Sequence, residues 1–184
     1  MAATPLYQSP YFRGLTQATA SVDIATGLVG EEESVYVTWD NHPRREVHLA
    51  VSRDGGLGWA EPVMVDRPDP DRGLATPYNL MAGAQDGGAM LLWQVGEPGS
   101  SCRQYYRWSA DGGETWTEPL PMLSEFSTCP QENRFFSGAD GSLLLMSNVS
   151  DSIYLLLWNG EAWSEPQPQG MLRGFEDSEL LTQV

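Results

Sequence analysis

Three short segments of the chain repeat the same side chains at the same spacing, and their carboxylates are the first candidates for chemistry. The segments SRDGGLGWAEP (52–62) and SADGGETWTEP (109–119) are followed by a divergent copy, LWNGEAWSEP (157–166). A short acidic side chain in a turn accepts hydrogen bonds from nearby backbone N–H groups, and glycine adopts positive φ without a Cβ clash. We therefore predict that Asp54 and Asp111 are held by their own turns and are structural, not catalytic.

The other side chains that could bind a metal are poorly spaced for it. His42 and His48 lie six residues apart, with no cysteines or paired carboxylates in register, which argues against a zinc site. The acidic loop that contains Asp66, Asp69 and Asp71 lacks the spacing of a helix-loop-helix calcium site. The sequence therefore indicates no metal and no cofactor.

The repeated segments occupy equivalent positions in a longer repeat. Their tryptophans, Trp59, Trp116 and Trp163, are 57 and 47 residues apart, and self-similarity at such a period is typical of propellers and other arrays. Three β-rich runs, separated by turns, precede each segment, and a short fourth run follows it, most clearly EPVMV (61–65). Four antiparallel strands per repeat predict the blades of a β-propeller.

The repeat divides the chain into an N-terminal segment (1–20), three blades (21–168), and a C-terminal tail or start of a further blade (169–184). The blades are predicted at about 21–70, 74–124 and 130–168. Closed propellers usually have four to eight blades. The predicted fold class is therefore all-β, with about three four-stranded antiparallel blades that form a partial, or half, propeller.

The repeated segments resemble the Asp-box, or bacterial neuraminidase (BNR) repeat, S-x-D-G-G-x-x-W. In the sialidase-type (neuraminidase-like) β-propeller family this motif forms the turn between the third and fourth strands of a blade. Two copies match fully, and the third keeps three positions in a turn that is one residue shorter. The matching positions are Ser52, Asp54, Gly55, Gly56, Trp59, Ser109, Asp111, Gly112, Gly113, Trp116, Asn159, Gly160 and Trp163.

The resemblance implies a ligand site on the rim opposite the Asp boxes, where the loops between strands two and three and the links between blades emerge. Sialidases hold the carboxylate of their sugar with an arginine cluster, because planar guanidinium groups form paired charge-assisted hydrogen bonds. The segment YFRGL places Arg13 in a position similar to the first of these arginines. Arg44, Arg45 and Arg134 are further candidates for binding an anionic glycan, and a solvated surface charge is the alternative for each of the four.

The resemblance also bears on catalysis. The acid/base aspartate of the family belongs on the loop after the second strand of the first blade, where this chain offers Asp40 and Glu46. The tyrosine nucleophile of the family and its glutamate partner come from later blades, and Tyr105 and Tyr106 are interpreted as strand residues. If the chain is part of an enzyme, that enzyme is a glycoside hydrolase of exo-sialidase type, but the chain alone is expected to be inactive. The alternative is a non-enzymatic propeller scaffold or protein-interaction module.

Composition and architecture limit the partners. The chain has 25 acidic and 10 basic residues and a net charge of -15, which disfavours binding to nucleic acid, and no apolar run approaches the roughly 20 residues of a membrane helix. A blade packs on both faces, so a three-blade arc predicts a second propeller half, either another copy or missing blades. The N-terminus has no signal-peptide pattern, while the family resemblance favours a secreted or cell-surface protein.

The two cysteines fall in loops that the repeat register places on the same rim. Cys102 lies between strands two and three of the second blade, and Cys129 lies in the link to the third. A disulfide between them would suit a secreted protein and would stabilise it by about 3 kcal/mol. Two unpaired thiols in a cytosolic chain are the alternative.

Overall fold

The computed structural model of the chain describes residues 22–41, 45–67, 75–85, 87–95, 103–138 and 142–171. Every regular element in these ranges is a β-strand, and none of the described residues forms a helix able to cross a membrane. The strands are β1 (Val22–Val29), β2 (Glu32–Asn41), β3 (Glu46–Ser52), β4 (Val63–Asp66), β5 (Ala75–Gln85), β6 (Gly88–Val95), β7 (Arg103–Ser109), β8 (Leu120–Met122), β9 (Glu132–Ser137), β10 (Leu143–Val149), β11 (Ser152–Trp158) and β12 (Gln167–Met171).

The twelve strands form three separate four-stranded antiparallel sheets, each in chain order. We call them blade 1 (β1 to β4), blade 2 (β5 to β8) and blade 3 (β9 to β12). The first strands adjoin one another, because β1 contacts β5 and β5 contacts β9. The sheets therefore radiate like the blades of a propeller, with the first strand innermost and the fourth outermost. The prediction of an all-β partial propeller with three four-stranded blades is confirmed.

The central strand β6 holds the three blades together. All of its residues are buried, because successive side chains of a strand point to opposite faces and both faces of blade 2 have a neighbour. Leu91 and Trp93 pack with Tyr36 of blade 1, whereas Leu92 packs with Leu143 of blade 3. The two sets of buried side chains form separate clusters, so each interface has its own hydrophobic core. Each large side chain buried there contributes about 1.5–3 kcal/mol to stability.

The two end faces of the arc present apolar side chains to solvent. On blade 1, Val22 and Ile24 are 65% and 61% exposed, while Ala25, the next residue along, packs against the core shared with blade 2. On blade 3, Phe136 and Leu157 are 49% and 46% exposed, and the strand register places both on the face turned away from blade 2. Each end of the arc is therefore an exposed sheet face with apolar side chains, like the faces that are buried between the blades.

The turn between β7 and β8 contacts the preceding blade through a glycine. Gly113 has φ of +90°, and a Cβ at this position would lie 3.2 Å from the side chains of Tyr36 and Val51 of blade 1. Its equivalent in the first turn, Gly56, has φ of +92°, but among the described residues a Cβ there would meet only Trp59 of the same turn, at 3.9 Å. Glycine at position 113 thus serves both the backbone conformation and the joint between blades 1 and 2.

This difference predicts unequal effects of the same substitution. Gly56→Ala adds the strain of a left-handed alanine, about 1–2 kcal/mol. Gly113→Ala adds the same strain and also presses on Tyr36 and Val51, so we expect a further loss of about 1–3 kcal/mol in the free energy of unfolding. Urea unfolding of the two variants measures the difference. Equal losses would contradict the joint that Gly113 forms with blade 1.

Candidate functional site

One rim of the propeller carries, in each blade, the turn between the first and second strands and the turn between the third and fourth strands; we call it the turn rim. On this rim Asp54 and Asp111 are hydrogen-bonded within their own turns. In the first turn, the Ser52 hydroxyl donates to Oδ1 of Asp54 at 2.8 Å and accepts from the Gly56 N–H at 2.8 Å. The same Oδ1 accepts from the Gly58 N–H at 2.7 Å. The Asp54 carboxylate is therefore engaged within its own turn.

The second turn reproduces this pattern. The Ser109 hydroxyl donates to Oδ1 of Asp111 at 2.7 Å and accepts from the Gly113 N–H at 2.7 Å. Oδ1 of Asp111 also accepts from the N–H groups of Glu114 and Thr115, at 3.0 and 2.9 Å. Equivalent serine, aspartate and glycine positions thus have equivalent roles in two blades.

The third turn keeps the principle with a shorter reach. Oδ1 of Asn159 accepts from the N–H groups of Glu161 and Ala162, both at 2.9 Å, and Gly160 has φ of +100°. The amide oxygen thus binds the second and third residues after it, whereas Asp111 binds the third and fourth. The third turn is one residue shorter than the other two, and it is correspondingly tighter around a side-chain oxygen that again accepts backbone hydrogen bonds.

The hydrogen bonds of the first two turns keep the carboxylates ionised. The side-chain hydroxyl and backbone N–H of Thr115 lower the pKa of Asp111 to about 2, and the Gly58 N–H followed by the Ser52 hydroxyl lowers the pKa of Asp54. A carboxylate with a lowered pKa is a poor proton donor near neutral pH. Asp54 and Asp111 therefore stabilise their turns and are poorly suited to act as general acids.

The lowered pKa of Asp111 sets a pH window. Because the pKa falls on folding, the stabilisation from Asp111 is complete above the ordinary value of about 3.9 and is lost as the pH falls towards about 2. Carbon-detected NMR of the wild type should show the Asp111 carboxyl titrating near the lower value. In Thr115→Val, which lacks the hydroxyl donor, this midpoint should rise. An unchanged midpoint in Thr115→Val would contradict the assignment.

The opposite edge of the propeller, called here the loop rim, carries the loop between the second and third strands of each blade and the links between blades. Several polar side chains are buried where strands end at this rim. Buried polar groups normally need hydrogen-bond partners. Asp40 and Asp66 both face blade 2, on either side of Val47. Between blades 2 and 3, the Ser147 hydroxyl donates to Oδ1 of Asn133 at 2.6 Å. The set, each at most 5% exposed, is Asp40, Asp66, Gln94, Gln104, Asn133 and Ser147.

Sequence reasoning did not single out most of this set. Gln94 and Gln104 pair directly across β6 and β7, and both face blade 3. The available signal is an uncharged polar residue near the end of an otherwise apolar strand, as in AMLLWQV (89–95). Such a residue reads as an ordinary strand end until the neighbouring blade is known to cover it.

The two weak catalytic candidates point in opposite directions. Asp40 pairs with Val47, the residue after Glu46, so Asp40 faces blade 2 and Glu46 lies on the outer face of blade 1. There, Oε2 of Glu46 lies 3.3 Å from Nε2 of His48, whose ring stacks on Trp39 with a centroid distance of 5.7 Å. Asp40 and Glu46 therefore cannot flank one glycosidic bond.

The candidate arginines occupy different settings. Arg45 is in the β2–β3 loop with φ of 56°. Arg134 lies within β9 and not in the preceding link, and its guanidinium is 2.9 Å from Oε1 of Glu132, with both side chains more than half exposed. Arg13 and Arg44 lie outside the described residues.

The remaining residues considered for catalysis or metal binding are the two tyrosines of β7 and the histidines and acidic side chains. Tyr105 stacks on Trp93 at 6.1 Å, and Tyr106 meets Trp158 edge-on at 5.9 Å; burial raises the pKa of Tyr106. Both tyrosines are packing residues of β7. Among the residues that the structure describes, no group of three His, Cys, Asp or Glu side chains is placed to hold a metal. The positions His42, Asp69 and Asp71 lie outside those ranges.

Cys129 is 4% exposed and disulfide-bonded. Cys102, the other cysteine of the chain, lies outside the described residues. The pairing of these two residues stays a prediction, and the mass of the intact protein before and after reduction is its direct measure.

Comparisons with known proteins found a likeness to solved structures alone. No protein-family model matches the chain, and no curated protein matches it. A protein of unknown function from Dyadobacter fermentans superposes with a TM-score of 0.54 at 16% identity, over 83% of this chain and 56% of that one. The GH43 protein BlXynB from Bacillus licheniformis, as a mutant, gives 0.48 at 15% identity, over 82% and 31%. A family 117 glycoside hydrolase from Zobellia galactanivorans gives 0.47 at 12% identity, over 83% and 46%. The chain spans less than two thirds of each of these structures.

Proposed function

We propose that this chain is part of a sialidase-type Asp-box propeller that binds an anionic glycan at the loop rim. The observation that carries the proposal is the repeated turn. Ser52 with Asp54, and Ser109 with Asp111, make the same hydrogen bonds at equivalent positions of two blades. This geometry agrees with the role that the Asp-box motif has in that family, as the self-contained turn between strands three and four.

Chemistry favours the loop rim as the ligand site. On the turn rim, the carboxylates of Asp54 and Asp111 are hydrogen-bonded to backbone N–H groups of their own turns. The loop rim instead has buried polar side chains and arginines. Arg45 and Arg67 belong to its described part, and Arg13 and Arg44 are additional candidates by sequence. Since the chain has a net charge of -15, binding of an anion depends on a local cluster of guanidinium groups rather than on long-range attraction.

We expect binding without hydrolysis from the isolated chain. A glycosidase needs two groups that flank one bond, about 5–9.5 Å apart. Asp40 and Glu46 lie on opposite faces of blade 1, so they do not form such a pair. A complete site would need groups from further blades or from a partner.

The first test is binding of 3′-sialyllactose by the purified chain. Loss of one charge-assisted hydrogen bond costs about 1.5–3 kcal/mol, so Arg13→Ala and Arg45→Asn should each weaken binding by about tenfold or more. Asparagine is chosen at position 45 because it tolerates the positive φ found there. Isothermal titration calorimetry measures the change.

Arg53→Ala is the matched control. Arg53 is a half-exposed arginine on the turn rim, 3.7 Å from Oε1 of Glu114, and its loss should leave binding unchanged. Equal affinity in all variants, or no binding by the wild type, would favour the non-enzymatic scaffold. Turnover of a fluorogenic sialoside by the pure chain would contradict the expected inactivity.

We also propose that a second propeller half covers the two end faces of the arc. Val22, Ile24, Phe136 and Leu157 are each 46–65% exposed on sheet faces whose counterparts in blade 2 are buried. Exposed apolar patches of this kind mark interfaces. A two-fold pairing of two copies, with blade 1 of each against blade 3 of the other, is the simplest closed arrangement.

Charged substitutions on the end faces should block this assembly. Ile24→Glu and Leu157→Glu are expected to shift the protein from dimer to monomer in light scattering, because each places a carboxylate in an apolar interface. Leu57→Glu is the control, since Leu57 is 90% exposed but lies in the first turn. A monodisperse wild-type monomer would overturn the two-fold pairing of two copies.

A further inference from the structure

The third turn differs chemically from the other two, because its acceptor is a neutral amide. Asn159 stands where the first and second turns have Asp54 and Asp111, and Gly160 follows it. Asn159 is also the one asparagine of the sequence that precedes a glycine. A glycine has no Cβ to shield its backbone nitrogen, so this nitrogen can attack the amide carbon of the asparagine before it. The third turn is therefore a candidate for a covalent change.

The pair is open to water on a turn whose ends are held. Residues 159–162 are all exposed, and a Cβ at Gly160 would meet no atom of the described residues within 4 Å. The N–H of Asn159 donates to the carbonyl of Ala162 at 3.2 Å and so closes the turn. Solvent can thus exchange protons with the reacting groups while the turn keeps its shape.

Two backbone N–H groups are directed at the amide oxygen. Those of Glu161 and Ala162 each donate to Oδ1 of Asn159 at 2.9 Å. When a nucleophile adds to a carbonyl carbon, negative charge develops on the oxygen, and fixed N–H donors about 2.7–3.1 Å from that oxygen stabilise it. Because Oδ1 is bonded to Cγ, these donors favour addition at Cγ of Asn159.

The two aspartate turns have similar donors but an unreactive acceptor. Oδ1 of Asp111 accepts from the N–H groups of Glu114 and Thr115 at 3.0 and 2.9 Å. The hydrogen bonds lower the pKa of Asp111 and of Asp54, so both side chains are carboxylates near neutral pH. A carboxylate already carries negative charge and resists a nucleophile, whereas an amide does not. Of the three turns, the third thus combines polarising donors with a reactive carbonyl.

We propose that Asn159 is a site of spontaneous modification, at which the folded third turn converts the asparagine into an aspartate. The nitrogen of Gly160 forms a bond to Cγ of Asn159 and gives its proton to solvent, while Nδ2 takes up a proton and leaves as ammonia. Water then adds to Cγ of the resulting succinimide and breaks the new C–N bond, which restores the main chain. The N–H groups of Glu161 and Ala162 stabilise the oxygen on Cγ in both steps.

The same donors select the product. In an unstructured peptide, water opens a succinimide mainly at the main-chain carbonyl, which gives isoaspartate and lengthens the backbone. In the third turn the donors polarise the Cγ carbonyl, so aspartate is the expected main product. A carboxylate at position 159 then accepts charge-assisted hydrogen bonds from the same two N–H groups. The reaction requires this turn alone and does not depend on glycan binding.

The test follows Asn159 in the full chain, incubated in mildly alkaline buffer made with ¹⁸O-enriched water. Peptide mapping by mass spectrometry measures uptake of the label, and electron-transfer fragmentation distinguishes aspartate from isoaspartate. Asn159 should take up the label, faster as the pH rises, with aspartate as the more abundant product. No label at Asn159, over a time in which a synthetic peptide of residues 157–166 is converted, would overturn the proposal.

Two controls separate the turn from its sequence. The chain unfolded in urea has the same residues without the turn, so its main product should be isoaspartate. An equal product ratio in the folded and unfolded chains would overturn the role of the donors. Asn148 is the internal control, because its Oδ1 is buried without a hydrogen-bond partner among the described residues and the branched Val149 follows it. Labelling of Asn148 as fast as Asn159 in the folded chain would contradict the proposal.

Two variants test whether the product fits the turn. Asn159→Asp keeps an acceptor for both N–H groups and adds a charge, so at neutral pH its thermal midpoint should equal or exceed that of the wild type. Asn159→Ala removes the acceptor and should lower the midpoint. A lower midpoint in Asn159→Asp than in the wild type would show that the turn does not accommodate a carboxylate, and the proposed product would be wrong.

Discussion

Neighbouring side chains of β6 enter two different hydrophobic cores, and the rest of the structure depends on this division. Trp93 is buried against blade 1 and Leu92 against blade 3, so one strand fixes the position of both neighbours. Because each interface joins flat faces of sheets, the polar groups are left at the two rims and along the outer edge. The positions of the turn rim and the loop rim follow from this packing.

The two rims then differ in what their polar groups do. On the turn rim, Asp54 and Asp111 are satisfied by backbone N–H groups of their own turns, and these bonds lower their pKa. On the loop rim, polar side chains are buried under a neighbouring blade, and within the described part of the chain the side-chain amide of Gln104 has no hydrogen-bond partner. Binding chemistry is therefore more readily built away from the turns that define the repeat.

The parts of the structure that depend on local spacing could be predicted from the sequence. The serine and aspartate that precede two glycines specify the turn by themselves, and the repeat of that turn predicted three blades. The orientation of Asp40 and Glu46 could not be predicted in this way, because it depends on the pairing of Asp40 with Val47 across a loop whose length did not fix the register. The unpaired amide of Gln104 was also inaccessible to sequence reasoning, since it arises from the way blades 2 and 3 come together.

The three turns do not brace the blades equally. Gly112 and Gly113 lie against Val29, Tyr36 and Val51 of blade 1, whereas a Cβ at Gly160 would meet no atom of the described residues within 4 Å. The second turn thus contacts blade 1 through its glycines as well as through the core, whereas the third turn contacts blade 2 through Trp163, which packs against Tyr106. In native-state hydrogen exchange, the first sub-global opening should therefore release the outer edge of blade 3. Because residues 162–166 of the third turn also border a cavity beside Tyr106, the same opening would enlarge that cavity.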